Sequence, residues 1–151
     1  DLLIEQVLET CRLIAGERGI QFQCVLSKTE IIAGREALMT IVHNLLSNAI
    51  KFSPDGGCVC ITLVQDDEKV TFDVIDQGPG VLEQDKSQIF EPFYRSAASR
   101  QVAGIGLGLA IAREFVLAHR GELSLIASPT GAHFRAVLPL SAPYLRVQAD
   151  V

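Results

Sequence analysis

The sequence predicts an α+β fold, a two-layer sandwich in which helices cover one face of a mixed, mostly antiparallel sheet. Three observations predict it. Two apolar stripes at helical spacing fall in the first third of the chain, two period-two segments joined by four polar residues mark an antiparallel hairpin, and a further apolar helical run leads into two more strand-like segments. The 151 residues contain no internal repeat and no linker, so residues 1–151 read as a single domain. A chain of this size buries roughly 68–70% of the surface it exposes when unfolded, enough for a sizeable core.

Each element has its own signal. Leu2, Leu3, Val7, Leu8, Cys11 and Ile14 carry a helix over residues 2–17 that closes near Gly16 and Gly19. Residues 20–26 read as a strand, and 31–33 as a short strand before Gly34. Leu38, Ile41, Val42, Leu45, Leu46, Ala49 and Ile50 then follow the i, i+3, i+4, i+7 stripe of an amphipathic helix over 36–52, ended by Ser53-Pro54-Asp55-Gly56-Gly57. Residues 59–65 and 70–75 alternate about Asp66-Asp67-Glu68-Lys69 as a hairpin does. A short helix is expected over 82–89, a small and polar loop over 96–104, and a buried helix over 107–119. Strands 122–127 and 132–138 flank the turn Ser128-Pro129-Thr130-Gly131. The sheet face left uncovered is expected to be partly solvated.

Composition excludes several classes of function. A formal charge of −5 speaks against nucleic-acid binding, which needs a basic surface. No apolar run approaches the ~18 residues of a membrane span, and the N-terminus lacks a signal-peptide pattern, so the segment reads as soluble and cytoplasmic. Cys11, Cys24, Cys58 and Cys60 form no CxxC pair and no zinc spacing with histidine, which fits reduced thiols. Cys58 and Cys60 share one face of a strand, where a buried structural role is expected.

Four segments carry chemistry. Asn44, Asn48 and Lys51 sit at i, i+4 and i+7 on the second helix, forming a polar stripe well away from the apolar one. Such a stripe suits a solvated face, or a site where amide oxygens meet Mg²⁺ and a lysine meets the phosphates the metal bridges. Asp76-Gln77-Gly78-Pro79-Gly80 follows a strand directly; it is either a plain turn, or a place where a flat ring approaches bare backbone while Asp76 accepts from an exocyclic amine. Gly104-Ile105-Gly106-Leu107-Gly108-Leu109 runs into a helix, as a hinge or as a phosphate cradle of exposed amides. A dinucleotide-binding GxGxxG would need glycine where Leu109 stands, and no Gly-Lys dipeptide supports a P-loop. In Ile89-Phe90-Glu91-Pro92-Phe93-Tyr94-Arg95, Phe90 and Phe93 read as anchors for the loop base, and Arg95, like Arg100, as a donor to a terminal phosphate.

In this order and at these separations, NLLSNAIKF, DQGPG, IFEPFYR and GIGLGLAIA resemble the N, G1, F and G2 boxes of histidine-kinase catalytic domains. The likeness continues through His119-Arg120-Gly121-Glu122, similar to a His-Gly-Gly turn, and ends in GAHFRAVLPL, similar to a final glycine box, covering residues 34–140. It implies a Bergerat ATP-binding fold in which Asn48 ligands Mg²⁺ with help from Asn44. Lys51 and Arg95 would contact phosphates, Asp76 would read adenine, and Phe52 would border the base. Gly78, Gly80, Gly104, Gly106, Leu107, Gly108 and Leu109 would complete the nucleotide site. Related ATPases of the gyrase and chaperone type place a water-activating glutamate at the position of Asn44. An amide cannot take a proton from water, which favours transfer of the γ-phosphate to a delivered side chain over hydrolysis.

The sequence also departs from the pattern. Gly34 stands near a commonly acidic position, Arg120 replaces a glycine, and Ala132-His133 replaces a Ser/Thr pair near the adenine pocket. Loss of a water-mediated adenine contact would cost on the order of 1 kcal/mol. No His-Glu/Asp-x-Arg/Lys-x-Pro acceptor motif is present, and His43, His119 and His133 read as structural or surface residues. The resemblance therefore implies a longer, homodimeric parent, a sensor at the inner membrane. Its own dimerisation hairpin would carry the phosphoacceptor histidine, and a response regulator would receive the phosphate.

Overall fold

A computed structural model describes residues 2–31, 33–96 and 106–140. Helix α1 (Leu2–Glu17) leads to strand β1 (Gln21–Leu26), helix α2 (Arg35–Phe52), and strands β2 (Cys58–Gln65) and β3 (Lys69–Ile75). A 3-10 turn (Glu83–Asp85), helix α3 (Gly108–Ala118), and strands β4 (Glu122–Ile126) and β5 (His133–Pro139) follow. The five strands form one sheet in the order β1-β2-β3-β5-β4. β1 runs parallel to β2, and the other three pairings are antiparallel. The fold is thus the expected mixed sheet with one helical layer.

The alternation of the strands decides which face the helices cover. Val59, Ile61 and Leu63 of β2, Val70, Phe72 and Val74 of β3, and Phe134, Ala136 and Leu138 of β5 are all buried. They meet the apolar stripe of α2, where Ile41, Leu45 and Leu46 are at most 2% exposed. Burying side chains of this size contributes roughly 1.5–3 kcal/mol each. Helix α2 packs against both α1 and α3, so the layer is held from its middle. Its C-terminal end is fixed by a residue outside it. The Arg18 guanidinium donates to the carbonyls of Ile50 and Ser53, and to Asp55 Oδ1 at 2.9 Å. Carbonyls left without partners at a helix end, at the negative pole of its dipole, are satisfied by a cation in this way. Lys51 and Phe52 consequently sit on a well-defined last turn.

Three expectations need correcting. Ile31 and Ala33 lie outside any strand, and Ile32 falls outside the described residues. Pairing stops earlier, because Ser27 turns both its N–H and its hydroxyl to the Leu63 carbonyl. The expected helix over 82–89 shrinks to the 3-10 turn, since Gln88 and Ile89 both donate to the Asp85 carbonyl and close turns instead. Cys58 and Cys60 do share a face, but it is the one without helices, and both are half-buried rather than buried. That open face is partly solvated, with Val64 54% exposed, yet it also carries a nearly buried Asp73 bonded to His133 and Arg135.

Candidate functional site

One cleft of about 500 Å³ opens between α2 and the segments after β3, a volume within the range that holds a small ligand. From α2 it takes Asn44, Asn48, Lys51 and Phe52, which the helical repeat sets on one side, together with Ser47. Asp76 and Gly80 line it from beyond β3, Arg95 from the approach to residues 97–105, and Gly106, Leu107, Gly108 and Leu109 from the start of α3. The polar row of the second helix and both glycine segments therefore face a single space. Gly104 and Arg100 lie outside the described residues.

Asp76 is the most constrained group in the cleft. It is 2% exposed, and its Oδ1 accepts from the backbone N–H of Gly78 at 2.9 Å and of Ala132 at 3.0 Å. Its own N–H donates to the Ala132 carbonyl at 3.0 Å. Among the described residues Oδ2 accepts no hydrogen bond, which leaves one carboxylate oxygen to a ligand. Burial pushes the carboxyl above its ordinary range, and the two N–H donors offset this only in part.

The glycines make this geometry possible. Gly78 does not line the cleft; it stands behind Asp76, where a Cβ would come 2.4 Å from the Phe52 carbonyl oxygen. Its role is to let the turn pass the end of α2. A Cβ at Gly108 would sit 3.4 Å from Asn44 Oδ1, so the first turn of α3 comes close beside the amide row. Backbone N–H groups of such a turn have no partners inside the helix and form the positive end of its dipole.

The aromatic segment divides differently from the expectation. Phe90 anchors it, meeting Phe134 edge-on at 6.1 Å between ring centroids, with the Arg113 guanidinium 6.0 Å from its ring. Phe93 is not an anchor; it is 70% exposed, at a φ of 62° that a bulky residue rarely adopts. Its backbone does the holding instead, donating to the Gly106 carbonyl at 3.0 Å. Ala132 lines the cleft as expected, but His133 points through the sheet to the opposite face, because neighbouring residues of a strand alternate sides. Asp85 was not anticipated as part of the site. It is 5% exposed, accepts a hydrogen bond from the Tyr94 hydroxyl, and lines the cleft with Tyr94. No sequence signal marked it, since an acidic residue in a short turn ordinarily faces water.

A row of amides, a buried acceptor and a helix N-terminus around one cleft define a nucleotide-binding α+β domain. The chain belongs to the family of histidine kinase-, DNA gyrase B- and HSP90-like ATPases, whose model matches residues 33–142. It is 40% identical over 143 residues to the signal transduction histidine-protein kinase/phosphatase MprB of Mycobacterium sp. (strain KMS), covering 91% of this chain and 27% of that protein. The chain thus spans about a quarter of the length of the curated relatives it matches. The structure of a mycobacterial sensor histidine kinase MprB superposes with a TM-score of 0.85 at 36% identity, covering 93% of this chain and 95% of that one. Full-length ShkA in complex with AMPPNP superposes at 0.80 and 32% identity, covering 97% of this chain and 32% of that one. By fold and family the chain is an ATP-binding catalytic domain of the histidine-kinase kind. No helix among the described residues is long and apolar enough to cross a membrane.

Proposed function

We propose that this domain binds ATP·Mg²⁺ in the cleft and presents the γ-phosphate to a histidine on a separate helical hairpin of a sensor histidine kinase. The observation that carries the reading is the single cleft joining Asn48, Asp76 and the start of α3. Asp76 Oδ2 would accept from the adenine amine, and Phe52 and Gly80 would border the base. The triphosphate would run between the amide row and residues Gly106–Leu109, with Lys51 and Arg95 on its oxygens. The donor set suits Mg²⁺: Asn48, with Asn44 beside it, offers neutral oxygens, as befits an ion that keeps waters and takes its charge partners from phosphate. Among the described residues no group of three His, Cys, Asp or Glu is placed to hold a metal by itself. When bound, the ion would neutralise charge on the phosphates.

The chain's own residues would contribute position and fixed charge, which is most of what phosphoryl transfer requires. Position 44 holds an amide, which cannot take a proton from water as a glutamate there would. In this reading the domain works in the cytoplasm as part of a homodimeric parent at the inner membrane, and the phosphate passes on to a response regulator. Asn48→Ala in the parent kinase is expected to lower autophosphorylation from ATP about a hundredfold, as loss of a metal-positioning group does. Undiminished labelling would contradict the assignment.

A further inference from the structure

We infer that Asp73, His133 and Arg135 form a clamp on the outer face of the sheet that positions Asp76 for the base, which makes His133 a positioning residue for nucleotide recognition. The inference rests on the reading of the cleft as an ATP site, and begins from a cluster that reading leaves unused. His133 Nε2 lies 2.6 Å and Arg135 Nε 2.8 Å from Asp73 Oδ1. An ionised carboxylate only accepts, so Nε2 carries the proton. Thr62 donates to Asp73 Oδ2 at 3.3 Å, which ties β2 into the same group. The side chains of Asp73 and His133 are only 10% and 13% exposed, so water screens this pair far less than an ordinary surface ion pair. Burial pushes the Asp73 carboxyl up, but Arg135 and His133 together outweigh it and hold the group below its ordinary range.

The register connects this cluster to the cleft. Asp73 lies opposite Arg135 and Ile75 opposite His133, so the His133–Asp73 bond crosses diagonally between β3 and the first residue of β5. The residue before His133 is Ala132, whose N–H and carbonyl both bond to Asp76. Without the diagonal bond, the beginning of β5 can swing away from β3. Ala132 N–H then no longer holds Oδ1, and Oδ2 loses its aim at the base. An element rigid on one face is aimed by contacts on the other, as supporting hydrogen bonds orient a ligating group.

His133→Ala and His133→Gln in the 151-residue chain, with folding checked by circular dichroism, test this by calorimetric titration with ATP and with inosine triphosphate at millimolar Mg²⁺. Inosine carries an oxygen where adenine carries the amine, so the ratio of the two affinities reports the aim of Asp76. His133→Ala is expected to weaken ATP about fivefold while hardly changing inosine triphosphate, the effect of one hydrogen bond, and His133→Gln to recover most of the loss through its amide N–H. Arg135→Met, at a more exposed position, should shift the ratio the same way should His133→Ala fail to fold. A folded variant that keeps the wild-type ratio overturns the clamp. A wild-type chain with no preference for ATP would instead overturn the ATP-site reading, and this inference with it.

Discussion

Asp76→Asn is expected to lower ATP affinity about 100- to 1000-fold, through a lost charged hydrogen bond and an unpaired donor, while leaving the domain at least as stable as the wild type. The backbone N–H groups of Gly78 and Ala132 both point at Oδ1, so the asparagine oxygen takes that place and its NH₂ faces the cleft. There it opposes the adenine amine, donor against donor. Stability should move the other way. Burial raises the Asp76 carboxyl above its unfolded value, so the native state is favoured below the unfolded pKa and that advantage is lost as pH rises through the folded one. At neutral pH the buried charge is a liability that asparagine removes. Titration with ATP and a thermal melt at pH 7 check both halves; tight binding, or a large fall in Tm, would contradict the account.

Gly131→Ala should be among the most damaging small substitutions in the chain. Gly131 has a φ of +68°, and a Cβ there would lie 1.9 Å from the Asp76 carbonyl oxygen and 2.7 Å from its Oδ1. The left-handed backbone costs about 1–2 kcal/mol for alanine, and relieving the overlap about 1–3 more, since β5 must part from β3 at Asp76. Gly56→Ala is the matched control: its φ is +76°, but nothing lies within 4 Å of the added Cβ, so only the backbone term applies. Chemical denaturation of the two variants should separate them by the overlap, roughly 1–3 kcal/mol. ATP affinity should fall for Gly131→Ala alone.

Asn44, Asn48 and Lys51 were legible because helical periodicity alone places them on one side of α2, and Asp76 because a strand end before two glycines limits what its side chain can face. The order of helices and strands followed from period, and the mixed sheet from their arrangement. What escaped were features set by tertiary packing. Phe93 and Phe90 are equivalent in the sequence, yet only Phe90 meets Phe134, because the chain must turn through a positive φ at Phe93 to pair with Gly106. Asp85 gave no sign that Tyr94 would cover it. Ala132-His133 reads as a pair near the adenine pocket, yet only Ala132 of the two lines the cleft, because the two-residue period of a strand sends His133 to the opposite side of the sheet. Gly78 reads as a place where a flat ring approaches bare backbone, but what its missing Cβ accommodates is the end of α2.

In the proposed complex, the amide row of α2, Asp76 and the start of α3 hold one adenine nucleotide between them. A crystal structure of this chain with AMPPNP and Mg²⁺ tests it most directly. The account predicts the adenine amino group within roughly 3 Å of Asp76 Oδ2, and the phosphates between Asn48 and the backbone of Gly106–Leu109. A base bound away from Asp76, or phosphates that leave Asn48 untouched, would contradict it.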